Sequence, residues 1–273
     1  MPRGMSPQSS REELPSIVAL PTERHWTTSA LPAPRTSFIG REREIGRVQA
    51  LLCRADVRLV TLTGPGGFGK TRIAIRAVFA APHTAQFVDL ADVEQPDLVL
   101  PTIAAALGIR PDGRPVLDTL RAVLRDDDYL LVLDNFEQVL PAATLLSELL
   151  DTCPNVKLLV TSRVVLGIPG EHVLDIRPFP LPSLPSPESE MDVAGFDACR
   201  LFADRAQALD PEFTITGANG PTIMSICQRL DGLPLAIELA AAWVSVLSPG
   251  ALLAQLENRL ALPSGGSLGV PHR

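Results

Sequence analysis

Hydrophobic residues in the middle of the chain form short runs that alternate with longer amphipathic stretches. The short runs are rich in Leu, Val and Ile and are bounded by turn residues, which is typical of buried parallel strands. We expect five strands, over residues 58–63, 86–90, 129–133, 157–161 and 172–176. The amphipathic stretches between them predict crossover helices over 70–80, 98–107, 116–125 and 142–150. This alternation predicts an α/β domain with a parallel sheet.

The pattern differs on either side of this region. Residues 1–36 carry Pro, Ser and isolated charges without an apolar period, which predicts a flexible tail. Beyond a Pro-rich linker, helical spacing predicts a compact helical domain built from 196–209, 221–230, 233–247 and 249–260. We expect 233–247, the most apolar stretch, to be a buried helix too short to span a bilayer. The predicted boundaries are 37–180 for the α/β domain, 181–194 for the linker, 195–262 for the helical domain and 263–273 for a disordered tail.

Composition narrows the possible function classes. The chain has 273 residues, of which 46% are apolar, and its formal net charge of −7 argues against general attraction to nucleic acid. The four cysteines are far apart in sequence and lack zinc or redox spacing, which indicates a reducing compartment. The sequence shows neither a signal peptide nor a membrane span. We therefore expect a cytoplasmic protein that binds neither membranes nor nucleic acid directly.

A glycine-rich motif follows the first predicted strand and leads into a helix. The pattern G-x-x-x-x-G-K-[ST] is satisfied by Gly64, Pro65, Gly66, Gly67, Phe68, Gly69, Lys70 and Thr71. In such a P-loop, backbone amides form a nest for phosphate and the helix N-terminus adds its positive dipole end. We expect Lys70 to bridge the β and γ phosphates and Thr71 to bind Mg²⁺. Arg72 is a further candidate phosphate ligand, with a surface helix position as the simpler interpretation.

Polar residues end the third and fourth predicted strands, where the ligands of open parallel sheets collect. Downstream of a P-loop, Asp134 is expected to hold Mg²⁺ through water. Asn135 stands where many P-loop ATPases carry a second acid that activates water, so we expect slow hydrolysis. Glu137 is either a general base or a helix-starting residue that favours the helix dipole. Arg163 is expected to sense the γ-phosphate.

Two further motifs complete a resemblance to a known family. One is Phe38-Ile39-Gly40-Arg41-Glu42-Arg43-Glu44 before the P-loop, and the other is Gly232-Leu233-Pro234-Leu235-Ala236 in the helical part. Together with the P-loop, Asp134 and Arg163, these motifs resemble the STAND signal-transduction ATPases over about residues 36–262. The likeness is to the bacterial NB-ARC type of large LuxR-like and SARP-like transcriptional regulators. The resemblance implies a P-loop NTPase fold with a sheet ordered 5-1-4-3-2, followed by a small all-helical domain.

The resemblance also implies a function and further site residues. Ile39, Gly40 and Arg41 are expected to flank the adenine and ribose, and Pro234 to pack against the nucleotide. ADP would hold the protein closed, and exchange for ATP would open it and let it self-associate. The family's winged-helix, effector and sensor parts are absent from this sequence, so we expect a fragment or a naturally short protein. The alternatives are a P-loop small-molecule kinase and a module that holds nucleotide without turnover.

Overall fold

The computed structural model describes residues 31–33, 35–79, 84–110, 113–125, 128–182 and 193–260. Most of the predicted tails, 1–36 and 263–273, and much of the predicted linker lie outside these residues. Leu31 is nevertheless buried against one face of the sheet. Packing therefore begins upstream of the predicted domain start at residue 37.

A five-stranded parallel sheet forms the centre of the first domain. Its strands are β1 Leu59–Thr63, β2 Thr84–Asp89, β3 Tyr129–Asp134, β4 Lys157–Thr161 and β5 Glu171–Asp175. They lie in the order β2-β3-β4-β1-β5. This is the predicted order 5-1-4-3-2 seen from the other edge, and the strand boundaries shift by at most two residues. Every residue of β1 and β3 is buried, as expected where helices cover both faces of a sheet.

Among the residues that the structure describes, five α-helices cover the two faces of the sheet: α1 Glu42–Leu52, α2 Lys70–Val78, α3 Val99–Ala106, α4 Val116–Leu124 and α5 Ala143–Thr152. Helices α1 and α2 pack on one face, where Val48 and Ile73 join Val60 in a buried cluster. Helices α3, α4 and α5 cover the opposite face. Short 3₁₀ helices, Pro96–Leu98 and Phe136–Ala142, precede α3 and α5. The layers are those of a doubly wound α/β domain.

The second domain is helical, as predicted. It contains α6 Asp197–Gln207, α7 Gly220–Arg229, α8 Pro234–Ala241 and α9 Pro249–Leu260, with short 3₁₀ helices at Val193–Gly195 and Ala242–Ser245. Phe202, Ile223 and Ile237 are fully buried in its core. The same core brings Cys199 and Cys227 together, with their sulfur atoms 3.9 Å apart and both thiols free. Sequence spacing did not predict this proximity.

The prediction of one buried helix over 233–247 is wrong. Helix α8 ends at Ala241, and a 3₁₀ turn follows it. One side of α8 packs into the core through Ile237, Ala240 and Ala241. The other side of α8 exposes 50% of Leu235 and 62% of Leu239, and the segment after α8 exposes 53% of Trp243 and 74% of Val246. The stretch is apolar on both sides, so average hydrophobicity did not reveal that only one side is covered.

Within the part of the chain that the structure describes, no helix combines the length and the apolar character that crossing a bilayer requires.

Candidate nucleotide-binding site

The P-loop joins the end of β1 to the start of α2. Gly64 has φ 137°, and a Cβ there would lie 2.7 Å from the carbonyl oxygen of Ile176, just beyond β5. Only glycine satisfies both conditions. Gly69 precedes α2 in a left-handed conformation, and no side chain caps the helix. The first amides of α2 therefore have no side-chain acceptor, which is the arrangement that binds anions at helix N-termini.

Lys70 places its ammonium group over this loop. Its Nζ donates hydrogen bonds to the carbonyl oxygens of Gly64 (2.6 Å) and Pro65 (2.9 Å). Burial lowers the pKa of Lys70, while the nearby Glu137 carboxylate acts in the opposite direction and the Arg163 cation adds to the lowering. The P-loop lysine therefore shares its surroundings with Arg163, the predicted γ-phosphate sensor, and with Glu137, the candidate base.

Asp134 lies at the carboxyl edge of the sheet, beside the P-loop helix. Its Oδ1 accepts hydrogen bonds from the hydroxyl groups of Thr71 (2.7 Å) and Thr161 (2.5 Å). Burial raises the pKa of Asp134, and these two hydrogen bonds partly oppose the rise. Because β4 lies between β1 and β3, the fold brings the predicted metal residues Thr71 and Asp134 into contact. This cluster of hard oxygen atoms fits Mg²⁺.

Hydrogen bonds hold Asn135 in place beside the Asp134 carboxylate. Its backbone adopts φ 62°, and its N–H donates to the Thr161 hydroxyl (3.1 Å). The side-chain amide donates to Asp134 (3.1 Å) and to Asp89 (3.2 Å). Asp89 ends β2 opposite Asp134. Sequence reasoning missed Asp89, because the strand was predicted over 86–90 and Asp89 therefore did not fall at its end, whereas β2 ends at Asp89.

Arg163 and Glu137 form an ion pair above the P-loop. The Nε of Arg163 donates to Oε1 of Glu137 at 3.0 Å. The Arg163 side chain is 62% exposed, whereas that of Glu137 is 14% exposed. An Nη2 nitrogen of Arg163 also lies 3.9 Å from the position that a Cβ on Gly66 would occupy. The structure thus places the predicted sensor arginine next to the P-loop and bonds it to the candidate base.

An apolar pocket lies between the P-loop domain and the helical domain. It brings together most of the predicted nucleoside contacts and is lined by Phe38, Ile39, Arg41, Phe68, Gly69, Arg72, Ile73, Phe179, Leu201, Pro234 and Glu238. Gly40 lies behind the lining and packs so closely on Asp197 of α6 that any side chain would collide with it. The lining offers apolar side chains and a guanidinium, the kinds of group that a nucleobase contacts, but the cavity is only about 30 Å³, so a base enters only if the lining side chains move apart.

Arg41 is one of the charged residues that line the pocket. Its guanidinium lies over the Phe179 ring, 4.4 Å from the centroid, and its Nη1 donates to Glu44 at 2.7 Å. Its Nη2 is buried and has no hydrogen-bond partner among the described residues. A buried donor without an acceptor is costly, so this nitrogen suits a ligand acceptor. Phe179 was missed, because it lies in the Pro-rich connection and belongs to no motif.

The motif around Pro234 contacts the P-loop directly. Gly232 adopts φ 65° and packs against the backbone of Phe179, whose N–H donates to the Gly232 carbonyl at 2.9 Å. This hydrogen bond positions the start of α8. Pro234 is the first residue of that helix, where no amide donor is needed. The N–H of the next residue, Leu235, donates to the carbonyl oxygen of Gly67 at 3.2 Å. The helical domain therefore touches the phosphate loop itself.

Arg72 joins a set of charged residues at the domain junction. Its Nη1 donates to Oε1 of Glu238 on α8 (3.1 Å), and its Nη2 donates to the Ser37 carbonyl (2.6 Å). Arg205 on α6 donates to the same two oxygens, at 2.9 and 3.0 Å. We call Arg72, Glu238, Arg205 and Ser37 the junction network. Its hydrogen bonds favour a role for Arg72 between the domains over the predicted phosphate contact.

The sequence has close relatives among curated proteins. An uncharacterized protein of Mycobacterium tuberculosis is 39% identical over 261 residues, which cover 93% of this chain and 61% of that protein. Another protein of the same organism, named "Putative HTH-type transcriptional regulator", is 41% identical over 231 residues, covering 83% of this chain and 24% of its own length. The chain thus spans less than two thirds of either relative. No protein-family model matches it.

Solved structures share the fold. Cdc6p from Pyrobaculum aerophilum superposes with a TM-score of 0.51 and 18% identity, over 85% of this chain and 66% of that one. A variant of RuvB from Thermotoga maritima gives 0.50 and 13% identity, over 84% and 74% of the two chains. A STAND protein from Pyrococcus horikoshii gives 0.49 and 15% identity, over 88% and 34%. The sheet order and the P-loop define the chain as a P-loop NTPase fold followed by a helical domain.

Proposed function

We propose that this chain is the nucleotide-binding part of a regulatory switch of the bacterial NB-ARC type. In this proposal the chain binds ATP or ADP with Mg²⁺ and hydrolyses ATP slowly. Nucleotide occupancy changes the arrangement of the helical domain and, in the ATP state, promotes self-association. A relative named as an HTH-type transcriptional regulator supports a role in transcriptional regulation. The proposal places the chain in the cytoplasm. We assign any DNA contact to other parts of such proteins, since the net charge here is −7.

The observation that carries this proposal is the direct contact between the P-loop and the helical domain. The Leu235 amide bonds to Gly67 within the loop, and Glu238 bonds to Arg72 directly after it. A phosphate that moves the loop must therefore disturb either contact or both. Ligands can shift a conformational equilibrium only through such differential contacts. In the proposed coupling, a single hydrogen bond is therefore enough to connect the phosphate-binding loop with the helical domain.

The residues of the site fit a nucleotide in three parts. Arg41 and Phe179 receive the base and sugar, with the Arg41 Nη2 donating to an acceptor on the ligand. Lys70 exchanges its bonds to the loop carbonyls for bonds to phosphate oxygens. Thr71 and Asp134 provide the oxygens that hold Mg²⁺, directly and through water. Bound Mg²⁺ supplies charge neutralisation at the phosphates.

The arrangement near Asp134 supports slow hydrolysis. Asn135 occupies the position of a second acid, and its carboxamide is not basic enough to take a proton from water; its NH2 group donates to two carboxylates instead. Glu137 is the remaining candidate base, and one of its oxygens is engaged by Arg163. A general base works only when it reaches the attacking water in its free form.

Two measurements on the purified chain test the proposal. The first identifies the nucleotide released on denaturation, and we expect ADP with a stoichiometry near one per chain. The second measures phosphate release from Mg-ATP, alone and with candidate acceptor molecules, and we expect slow turnover that acceptors do not raise. Transfer to an acceptor would establish the kinase alternative, and binding without any turnover would establish the holding module. Absence of nucleotide binding would overturn all three.

A further inference from the structure

Three charged side chains share the space above the P-loop. Lys70 is bonded to the loop carbonyls, and Arg163 reaches to within 3.9 Å of a Cβ position at Gly66. Glu137 holds Arg163 through one bond, from Nε to Oε1. The cation expected to meet a γ-phosphate is therefore already paired with an anion of the chain itself.

The two partners of this pair differ in their surroundings. Glu137 is withdrawn from water, and its Oε2 is buried without a hydrogen-bond partner among the described residues. Arg163 is mostly exposed, and within the described residues its guanidinium has one hydrogen-bond partner, the Glu137 carboxylate. Leaving a carboxylate oxygen unpaired costs stability that a purely structural ion pair would recover by bidentate contact. The Arg163–Glu137 ion pair is therefore better suited to open and re-form than to act as a permanent structural contact.

We propose that Glu137 is a specificity-determining residue that competes with the γ-phosphate for Arg163 and so sets the preference of the site between ATP and ADP. This inference rests on the proposed nucleotide-binding function. ADP lacks the γ-phosphate, so it leaves the Arg163–Glu137 pair intact. ATP must draw the guanidinium away from Glu137, and the ATP affinity is reduced by the strength of that pair.

The expected effect is modest, because the arginine is mostly exposed. Exposed ion pairs contribute enough to change an equilibrium by about two- to fivefold. Glu137→Gln should therefore raise the ratio of the ADP to the ATP dissociation constant about two- to fivefold. Removing a negative charge beside the phosphates also strengthens ATP binding because it relieves electrostatic repulsion, and this effect does not depend on Arg163. A single substitution does not separate these two effects.

A double-mutant cycle separates them. Mg-ATP and Mg-ADP are titrated into the wild type, Glu137→Gln, Arg163→Ala and the double variant, with a non-hydrolysable ATP analogue as a check. Glu148→Gln on the exposed side of α5 removes the same charge away from the site and serves as the matched control. We expect the ratio to rise in Glu137→Gln and to rise much less when Arg163 is already absent. An equal rise in both backgrounds would overturn the inference.

A second measurement avoids dependence on the folding of any one variant. The Nε–H proton of Arg163 gives an NMR signal, assigned by its loss in Arg163→Ala, that reports its hydrogen-bond partner. The signal should be the same with ADP as without nucleotide and should shift with the ATP analogue. An identical signal with ADP and the analogue would overturn the competition while leaving nucleotide binding intact. If neither nucleotide binds the wild type, the proposed function itself fails.

Discussion

The phosphate edge and the domain junction both adjoin the P-loop but are built differently. At the phosphate edge, three residues are buried: Lys70 at the start of α2, Asp134 at the end of β3 and Thr161 at the end of β4. At the junction, Arg72 and Glu238 are about 30% exposed and meet through a shared carboxylate oxygen. One region is held by the core, and the other is held by partly hydrated ion pairs.

This difference assigns nucleotide recognition to the phosphate edge and the conformational response to the domain junction. A buried edge keeps its geometry, because any shift would disturb close-packed strands. Ion pairs that are open to water are weaker and are screened by salt, so a ligand can open them at small cost. The molecule therefore combines a rigid phosphate and metal site with a junction that nucleotide binding is able to rearrange.

The largest effect should come from Lys70→Ala at the rigid edge. This substitution removes the phosphate cation without opening a cavity in the apolar core, so the fold should remain intact. Wild-type protein at a nucleotide concentration 100 times the dissociation constant should gain about 2.7 kcal/mol of stability. We expect this gain to disappear in the variant when melting is followed with and without Mg-ADP. An equal nucleotide-induced shift in both proteins would remove Lys70 from the site.

Asp134→Asn should weaken metal dependence at the same edge. Outer-shell ligands commonly contribute about 10- to 100-fold to metal affinity, and we expect the Mg²⁺ concentration for half-maximal nucleotide binding to rise by that factor. Asn retains an oxygen that can accept from Thr71 and Thr161, so the local hydrogen bonds have a replacement. Isothermal titration with and without Mg²⁺ measures the change. An unchanged metal titration would exclude Asp134 as the metal carboxylate.

Arg163→Ala, on the exposed side of the phosphate edge, should weaken ATP binding about tenfold and leave ADP binding nearly unchanged. The factor is at the low end for hydrogen bonds to charged groups, because Arg163 is largely exposed. Parallel fluorescence titrations with both nucleotides measure it. Equal losses for ATP and ADP would assign Arg163 to general charge or to folding.

Glu238→Gln should speed ADP release about two- to fivefold, since it weakens the junction network by the value of an exposed ion pair. Glu257→Gln provides the matched control, because Glu257 also pairs with an arginine of the helical domain, Arg229, but outside the junction network. Stopped-flow release of a fluorescent ADP analogue measures both rates. The difference between the variants should shrink at high salt. Equal release rates in the two variants would show that the junction network does not hold the site closed.

The smallest predicted effect concerns pH and the buried Asp134. Its pKa is raised in the folded protein, so the folded state binds its proton more tightly than the unfolded chain does. Stability without nucleotide should therefore fall as pH rises from the unfolded pKa through the higher folded value, and this loss should be absent in Asp134→Asn. Urea unfolding at a series of acidic pH values tests the sign. A wild type that loses no more stability than the variant over this window would contradict it.

The two regions also differ in how much of them the sequence predicts. The P-loop, Asp134 and Arg163 are local signals at strand ends, and the strand order then determines which of them meet. The junction depends on tertiary packing, so Glu238 and Arg205, which lie 33 positions apart and bond to each other, carried no signal. The same limit explains the error at α8, where Leu239 is apolar but exposed. Sequence patterns show which residues are apolar, whereas packing decides which of them are covered.

The central claim is that nucleotide identity changes the arrangement of the two domains. Fluorescence resonance energy transfer tests it between dyes at Glu148→Cys on α5 and Asn258→Cys on α9, in a Cys53→Ser background, since Cys53 is exposed and the other three cysteines are buried. We predict different transfer efficiencies with Mg-ADP and with a non-hydrolysable Mg-ATP analogue, and no difference when Lys70→Ala is added. Equal efficiencies with both nucleotides, in a protein shown to bind both, would contradict the account.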